Sequence, residues 1–373
     1  MRVGVMLRHY DQHGGGVRIY THRILRAMLD SKTPHEFVFL YQNPSLAGTY
    51  AADARVTEAV VPGKNILWWD QVEVPRAIER YGIDVLYNPK YSLPLRARCP
   101  AAWVCHGLDW YVMPWASRRI DRLSHKFLVP RYARRADAII AVSEVTREHV
   151  IEYLPIPGDR VFTVYSGVDD SFRRRASPQD RESLRRRYEL PARYFLYSGA
   201  IYPPKNFTRL VQAFAKVGPA AGIPLVIAGG ENRFLSEHEL KVPEQLGISS
   251  WVKWLGWVEP ELLPALYQMA DVLLLPSLFE SYGLPIVEAM ASGCPVLTSN
   301  RFGTREIAGN AALLVDPESV DEIAAGMHRL ATDGALRDQL IASGLERVEA
   351  LTWTRCAEQS LRVLENIVAN PRR

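Results

Sequence analysis

An apolar run that stops at Pro-Ser and passes through a short acidic loop into a glycine-opened helix constrains this chain more than any other stretch. Residues 271–275, closed by Pro276-Ser277, predict a strand buried on both faces, the habit of a parallel sheet covered by helices. Residues 282–291 predict the following helix, with Pro285 in its first turn, where a missing N–H costs nothing. Gly283 lets the backbone pass close to a ligand. The helix start offers unpaired N–H groups and the positive end of a dipole, which suits an anion, phosphate first. Glu280 on the loop and Glu288 about a turn and a half into the helix flank that cradle. An anion site between two carboxylates fits a ligand with phosphate in the middle and polyols at both ends, the shape of a nucleotide sugar. An ordinary turn with a solvated Glu280 and an exposed Glu288 fits the same pattern, because helix N-termini are often acidic.

The same alternation runs along the whole chain. Residues 2–7 predict a first strand, Gly14-Gly15-Gly16 a loop, and residues 17–29 a helix, the phosphate-binding opening of a Rossmann-like unit. No G-x-G-x-x-G is present, so nothing points to a dinucleotide. Short strands follow near residues 37–41, 56–61, 84–87, 101–105, 138–142 and 161–165, separated mostly by helices, which argues for an α/β parallel sheet. The polar, basic stretch Arg173-Arg174-Arg175-Ala176-Ser177-Pro178 reads as part of an interdomain connection. A second βα series starts at Tyr194, with helices at 320–332, 335–351 and 353–369 closing the chain. The domains expected are 1–168 together with 353–373, and 169–352.

At 373 residues the chain is long enough for two cores. Four cysteines without C-x-x-C or zinc spacing predict a reduced, cytoplasmic protein. No run approaches the ~18 apolar residues of a membrane span, and the first apolar stretch is too short for a signal peptide. His13-Gly14-Gly15-Gly16 imitates a lipase oxyanion loop, but no G-x-S-x-G accompanies it. His9 and His13 lack a third ligand, so no metal site is expected there.

The segment Leu275-Pro276-Ser277, Glu280-Ser281-Tyr282-Gly283-Leu284-Pro285 and Glu288 to Val296 resembles glycosyltransferase family 4, the glycosyl transferases of group 1. Glu280 and Glu288 match the E-x7-E signature of its retaining members. The resemblance implies a GT-B fold, two Rossmann-like domains facing across a cleft, with the last helix crossing back to the N-terminal domain. It implies a retaining hexosyltransferase that moves a sugar from a nucleoside diphosphate donor to a glycan or lipid-linked acceptor. GDP-mannose is preferred and a UDP-sugar comes next.

By that resemblance Lys205, in Pro203-Pro204-Lys205-Asn206, meets the donor diphosphate, on a loop expected to be exposed. His106 at a strand end contacts the donor sugar, with Asp109 nearby, and Glu280 faces the sugar hydroxyls while Glu288 faces the ribose. The amides of Tyr282, Gly283 and Leu284, next to Ser281, hold the distal phosphate. Gly15 and Gly16 approach the phosphates, Trp257 and Val258 border the base, and Gly230 lies on the rim with Gly229 and Glu231. Family members often carry an arginine upstream of the lysine. Ala200 and Pro204 stand there instead, which leaves Arg18, Arg301, another residue or backbone amides to supply the charge. No Asp-x-Asp is present, so transfer is expected to need no metal. A nucleotide-sugar epimerase, a sugar phosphorylase and an inactive sugar-nucleotide-binding relative compete with this reading, although no pyridoxal-lysine motif supports the phosphorylase.

One feature stands outside that frame. Basic residues from Arg118 to Arg135 interleave with Trp115, Ile120, Leu123, Phe127 and Leu128, as in an amphipathic helix lying on an anionic membrane surface. That would place the enzyme on the inner face of the cytoplasmic membrane. A solvated basic face over a packed apolar one fits equally, and nucleic acid is not expected because no recognition motif accompanies the charges.

Overall fold

The computed structural model describes residues 1–8, 15–117, 119–229 and 237–372. Gly14, His9, His13, Arg118, Gly230 and Glu231, all named above, lie outside the described residues. The chain divides into two compact units, Met1–Gly167 with Trp353–Arg373, and Val168–Thr352.

In the first unit β1 (Arg2–Met6), β2 (Glu36–Tyr41), β3 (Val56–Val60), β4 (Val85–Asn88), β5 (Ala101–Cys105), β6 (Ala138–Ala141) and β7 (Val161–Thr163) form one sheet. Its order is β3-β2-β1-β4-β5-β6-β7, with every pairing parallel. The crossovers carry α1 (Gly16–Asp30), α2 (Ile66–Trp68), α3 (Val74–Tyr81), α4 (Asp109–Val112), α5 (Arg119–Arg135) and α6 (Glu144–Tyr153). Strands β4, β5 and β6 are buried throughout, the consequence of helices on both faces and the reason their sequences are continuous apolar runs.

The second unit opens with α7 (Asp170–Arg173) and α8 (Pro178–Tyr188), the latter started by a capping box between Ser177 and Asp180. Strands β8 (Phe195–Ser198), β9 (Leu225–Ala228), β10 (Val252–Gly256), β11 (Val272–Leu275), β12 (Val296–Ser299) and β13 (Leu313–Val315) pair in parallel in the order β10-β9-β8-β11-β12-β13. Between and after them run α9 (Phe207–Ala221), α10 (Glu237–Gln245), α11 (Leu263–Met269), α12 (Leu284–Ala291), α13 (Phe302–Ala308), α14 (Val320–Thr332) and α15 (Gly334–Val348).

The last helix, α16 (Trp353–Ala369), belongs to the first unit. Cys356, Ser360, Val363, Leu364 and Ile367 recur at helical spacing and are buried. Trp353 packs edge-on against Tyr20 of α1 at 5.6 Å, and Glu365 meets His35 Nε2 at 2.8 Å. Each fully buried aliphatic side chain on this face contributes about 1.5–3 kcal/mol, enough to hold a terminal helix in place.

Both sheets reverse their strand order once, between β1 and β4 in the first unit and between β8 and β11 in the second. At such a point the loops leaving neighbouring strands diverge to opposite faces and open a crevice at the carboxyl edge.

Candidate functional site

In the second unit the loops after β8 and β11 border the reversal point. The first, Pro203–Lys205, is one turn of 3-10 helix that ends at Asn206, whose φ of 59° and ψ of 34° are left-handed. Asparagine tolerates that conformation better than most residues. Its amide Nδ2 donates to the carbonyls of Pro276 at 2.9 Å and Pro317 at 2.6 Å. One buried side chain thus ties together the loops leaving β8, β11 and β13. The backbone adds Leu278 N donating to Pro204 O at 2.8 Å.

Within this frame Lys205 Nζ forms an ion pair with Glu280 Oε1, and Ser277 Oγ donates to the same oxygen at 3.1 Å. The expectation of an exposed lysine is corrected here. Lys205 is 7% exposed, because the 3-10 turn and the Asn206 tether fold its stem inward toward the carboxylate. Glu280 is fixed from behind as well. Its carbonyl accepts from Gly303 N at 2.9 Å, and a Cβ on Gly303 would lie 2.4 Å from Ser281 O, so only glycine permits α13 to close on this loop.

Helix α12 begins at Leu284, two residues later than the sequence suggests. Gly283, at φ 95°, is its left-handed N-cap and breaks the helical path there. Among the described residues the Gly283 and Leu284 amides enter no backbone hydrogen bond, while Ile286 N bonds back to Gly283 O. Tyr282 is buried. Glu288, half-buried in the second turn, accepts from Tyr267 Oη at 3.0 Å, and burial holds that phenol far above its ordinary pKa, so it stays a donor. Trp257 is 59% exposed and Val258 is buried, which leaves the indole accessible at the carboxyl edge beyond β10. Arg301 is engaged by Asp316 at 2.9 Å and Glu318 at 2.7 Å, so its charge is already matched. Arg209 donates to Asn206 Oδ1 at 3.2 Å and brings a second cation to the lysine loop, one the sequence reading missed.

In the first unit His106 follows β5. Its Nε2–H donates to the Pro89 carbonyl at 2.7 Å, which leaves Nδ1 as the acceptor nitrogen. Burial lowers its pKa to about 4, so the ring is neutral near pH 7, and Tyr20 packs against it edge-on at 4.7 Å. Gly15, at φ 94°, caps α1, and both it and Gly16 are exposed.

Lys90, Tyr91, Trp110 and His125 carried no obvious signal in the sequence. Burial and the neighbouring Arg8 lower the Lys90 ammonium to about 8, and Lys90 Nζ sits 5.5 Å from the Tyr91 ring. Tyr91 Oη meets His125 Nε2 at 2.9 Å, and Trp110 stacks on His125 at 4.5 Å. Burial raises the pKa of the nearby Asp109 carboxyl.

The model for "Glycosyltransferase Family 4" matches residues 14–172, and the model for "Glycosyl transferases group 1" matches residues 180–347. O-antigen chain mannosyltransferase B of Escherichia coli is 29% identical over 293 residues, 76% of this chain and 75% of that protein. The serotype-specific mannosyltransferase WbdA of Escherichia coli is 32% identical over 283 residues, 73% of this chain but only 34% of that longer protein. Among solved structures, sucrose-phosphate synthase from Thermosynechococcus elongatus superposes with a TM-score of 0.80 at 20% identity, over 99% of both chains. Anabaena Alr3699/HepE in complex with UDP and glucose gives 0.78 at 18% identity, over 98% of this chain and 100% of that one. At these identities the structures show a shared fold.

Proposed function

This chain is a glycosyltransferase of family 4, the group 1 glycosyl transferases, and from that premise we propose that it moves a hexose, mannose first, from a nucleoside diphosphate sugar to a glycan or lipid-linked acceptor with retention of configuration. The observation that carries the reading is the buried Lys205–Glu280–Ser277 cluster beside the start of α12, at the reversal point of the second sheet. Relatives named as mannosyltransferases support mannose as the sugar moved, and we take GDP-mannose ahead of a UDP-sugar as the donor.

The hard step is departure of the diphosphate. The bond from the anomeric carbon to the diphosphate oxygen breaks, and the acceptor oxygen bonds to the same face. The acceptor proton passes to the departing phosphate. Lys205 and the Gly283 and Leu284 amides meet the negative charge that develops on the leaving group, which is electrostatic stabilisation by groups already in position. Glu280 trades its lysine contact for the sugar hydroxyls, Glu288 takes the ribose, and Trp257 borders the base. In the first unit His106, neutral with Nδ1 as an acceptor, is suited to a sugar hydroxyl rather than to a phosphate. Lys90 offers a cation to an anionic acceptor. We place the reaction in the cytoplasm and expect no divalent ion to be needed.

Thermal unfolding in the presence of GDP, UDP and ADP tests the donor, because a ligand that binds only the folded state raises Tm by mass action. GDP should give the largest rise, and GDP-mannose should be hydrolysed slowly without acceptor. No stabilisation by any nucleotide together with no hydrolysis would overturn the proposal.

A further inference from the structure

Helix α5 presents two apolar faces, and the structure covers only one of them. At about 100° per residue, Val129, Tyr132 and Ala133 cluster on one side, while Ile120, Leu123 and Phe127 fall within about 60° of each other on the opposite side. The first set is buried in the core of the first unit. The second set stands in solvent, with Ile120 75% exposed, Leu123 66% and Phe127 60%. Trp115, just before the helix, is 63% exposed. Single exposed apolar residues are ordinary, but three large ones along one helix face, with a fourth just before that helix in the chain, are not.

The charges around this stripe are mostly of one sign. Residues 119–135 hold six basic side chains and one acidic one, whereas the whole chain carries a net charge of only +4. Arg119 and Lys126 border one flank, and Arg131 and Arg134 extend the stripe itself. The Arg131 guanidinium lies 3.5 Å from the centre of the Phe127 ring and still leaves that ring open. Topology adds a second patch. All seven strands run parallel, so the segments following β3 and β5 leave the same carboxyl edge. The segment after β3 exposes Ile66, Leu67 and Trp68 by 54%, 52% and 42%, and Lys64 sits 5.8 Å from the Trp68 ring. Among the described residues no helix is long and apolar enough to cross a membrane.

We propose that the carboxyl edge of the first unit docks on an anionic membrane surface, with the Ile120–Leu123–Phe127 stripe and the exposed Trp115 before it entering the interface and the flanking arginines and lysine meeting lipid phosphates. An aromatic and aliphatic stripe rimmed by cations matches such a surface in both polarity and charge. It matches another protein less well, since association in water would leave these cations needing an acidic partner. The same edge carries Lys90 and His106, so docking would bring a membrane-embedded acceptor to them, a consequence that rests on the transferase reading above.

The test uses the full chain and vesicles of phosphatidylcholine with and without phosphatidylglycerol, sedimented across a salt series. The protein should pellet with the anionic vesicles at low salt, remain in solution with neutral ones, and be released as salt screens the charges. The triple variant Ile120→Ser, Leu123→Ser, Phe127→Ser should bind at least about tenfold more weakly while keeping the wild-type melting temperature, because its sites are exposed. Bromine-labelled acyl chains should quench a fluorescence component that Trp115→Phe removes. Protein that stays in the supernatant at low salt, or a triple variant that binds like wild type, overturns the proposal. Concentration-dependent dimerisation that the triple variant abolishes also overturns it, in favour of a second copy. Donor hydrolysis measured without vesicles separates the two readings: lost vesicle binding with intact hydrolysis removes only the docking surface, and the reverse removes only the transferase assignment.

Discussion

Replacing Lys205 by methionine should destabilise the second unit before any substrate is added. The Lys205 and Glu280 side chains are 9% and 11% exposed, so each charge has given up most of its water for the other. Removing one member leaves a carboxylate desolvated with only Ser277 Oγ for company, which costs about 3–5 kcal/mol. For a unit of this size that corresponds to a fall in Tm of about 10 °C. Glu280→Gln strands the ammonium instead and should cost a comparable amount. The double variant Lys205→Met, Glu280→Gln holds no unpaired charge and should be no less stable than either single variant, which requires a coupling energy of about 3 kcal/mol or more between the sites. Urea unfolding of the four proteins, followed by circular dichroism, measures the cycle. A single variant that melts within a degree of wild type would refute the reasoning, as would a double variant whose loss is the sum of the two. All three variants should also lose turnover, by about a hundredfold or more if Lys205 meets the leaving group. That assay is run well below the variants' melting temperatures, because the buried pair makes a fold-neutral lysine substitution unavailable.

Three further outcomes are expected. Between about pH 4 and 6.5 the unfolded chain binds a proton that His106 refuses when folded, so stability falls as pH drops through that window. His125 and His149 are lowered in the same direction, and His106→Gln should therefore reduce the slope of Tm against pH in that range without abolishing it. Gly303→Ala places a methyl 2.4 Å from Ser281 O, so it should cost about 1–3 kcal/mol and lower donor hydrolysis by displacing Glu280, both measurable on the purified variant. Turnover should survive EDTA. Activity that vanishes with chelator and returns with magnesium or manganese would remove the metal-free mechanism.

The strands and helices were legible because burial on both faces writes itself into composition. Residues 101–105, 320–332 and 353–369 form the elements their apolar patterns predict, to the residue, and the strand expected at 271–275 starts one residue later, at Val272. The misplaced start of α12 is a local matter. Tyr282 has an acceptable helical propensity, but Gly283 takes a left-handed φ of 95° that no helix accommodates, and the first turn waits for Leu284. The two faces of α5 were harder to separate. Apolar residues at helical spacing look alike whether they meet a sheet or solvent, and only the packing of Val129, Tyr132 and Ala133 assigns the sides.

The site was legible in its charges and illegible in its pairings, for a topological reason. Lys205 and Glu280 each sit on a loop leaving a strand, which alternation alone reveals. That they meet depends on β8 lying beside β11 rather than beside β10, a strand order that the linear sequence does not state. Right-handed crossovers limit the possible orders without choosing where the sheet reverses. Once β8 and β11 are neighbours, the loops after them must diverge around a common crevice, and a lysine on one and a glutamate on the other come within reach. Asn206 then removes the remaining freedom. Its amide takes carbonyls 70 and 111 residues along the chain, and its left-handed backbone turns Lys205 inward. A solvated lysine and a buried one are therefore written with the same letters, and the difference between them lies in an asparagine whose partners become neighbours only when the sheet has formed.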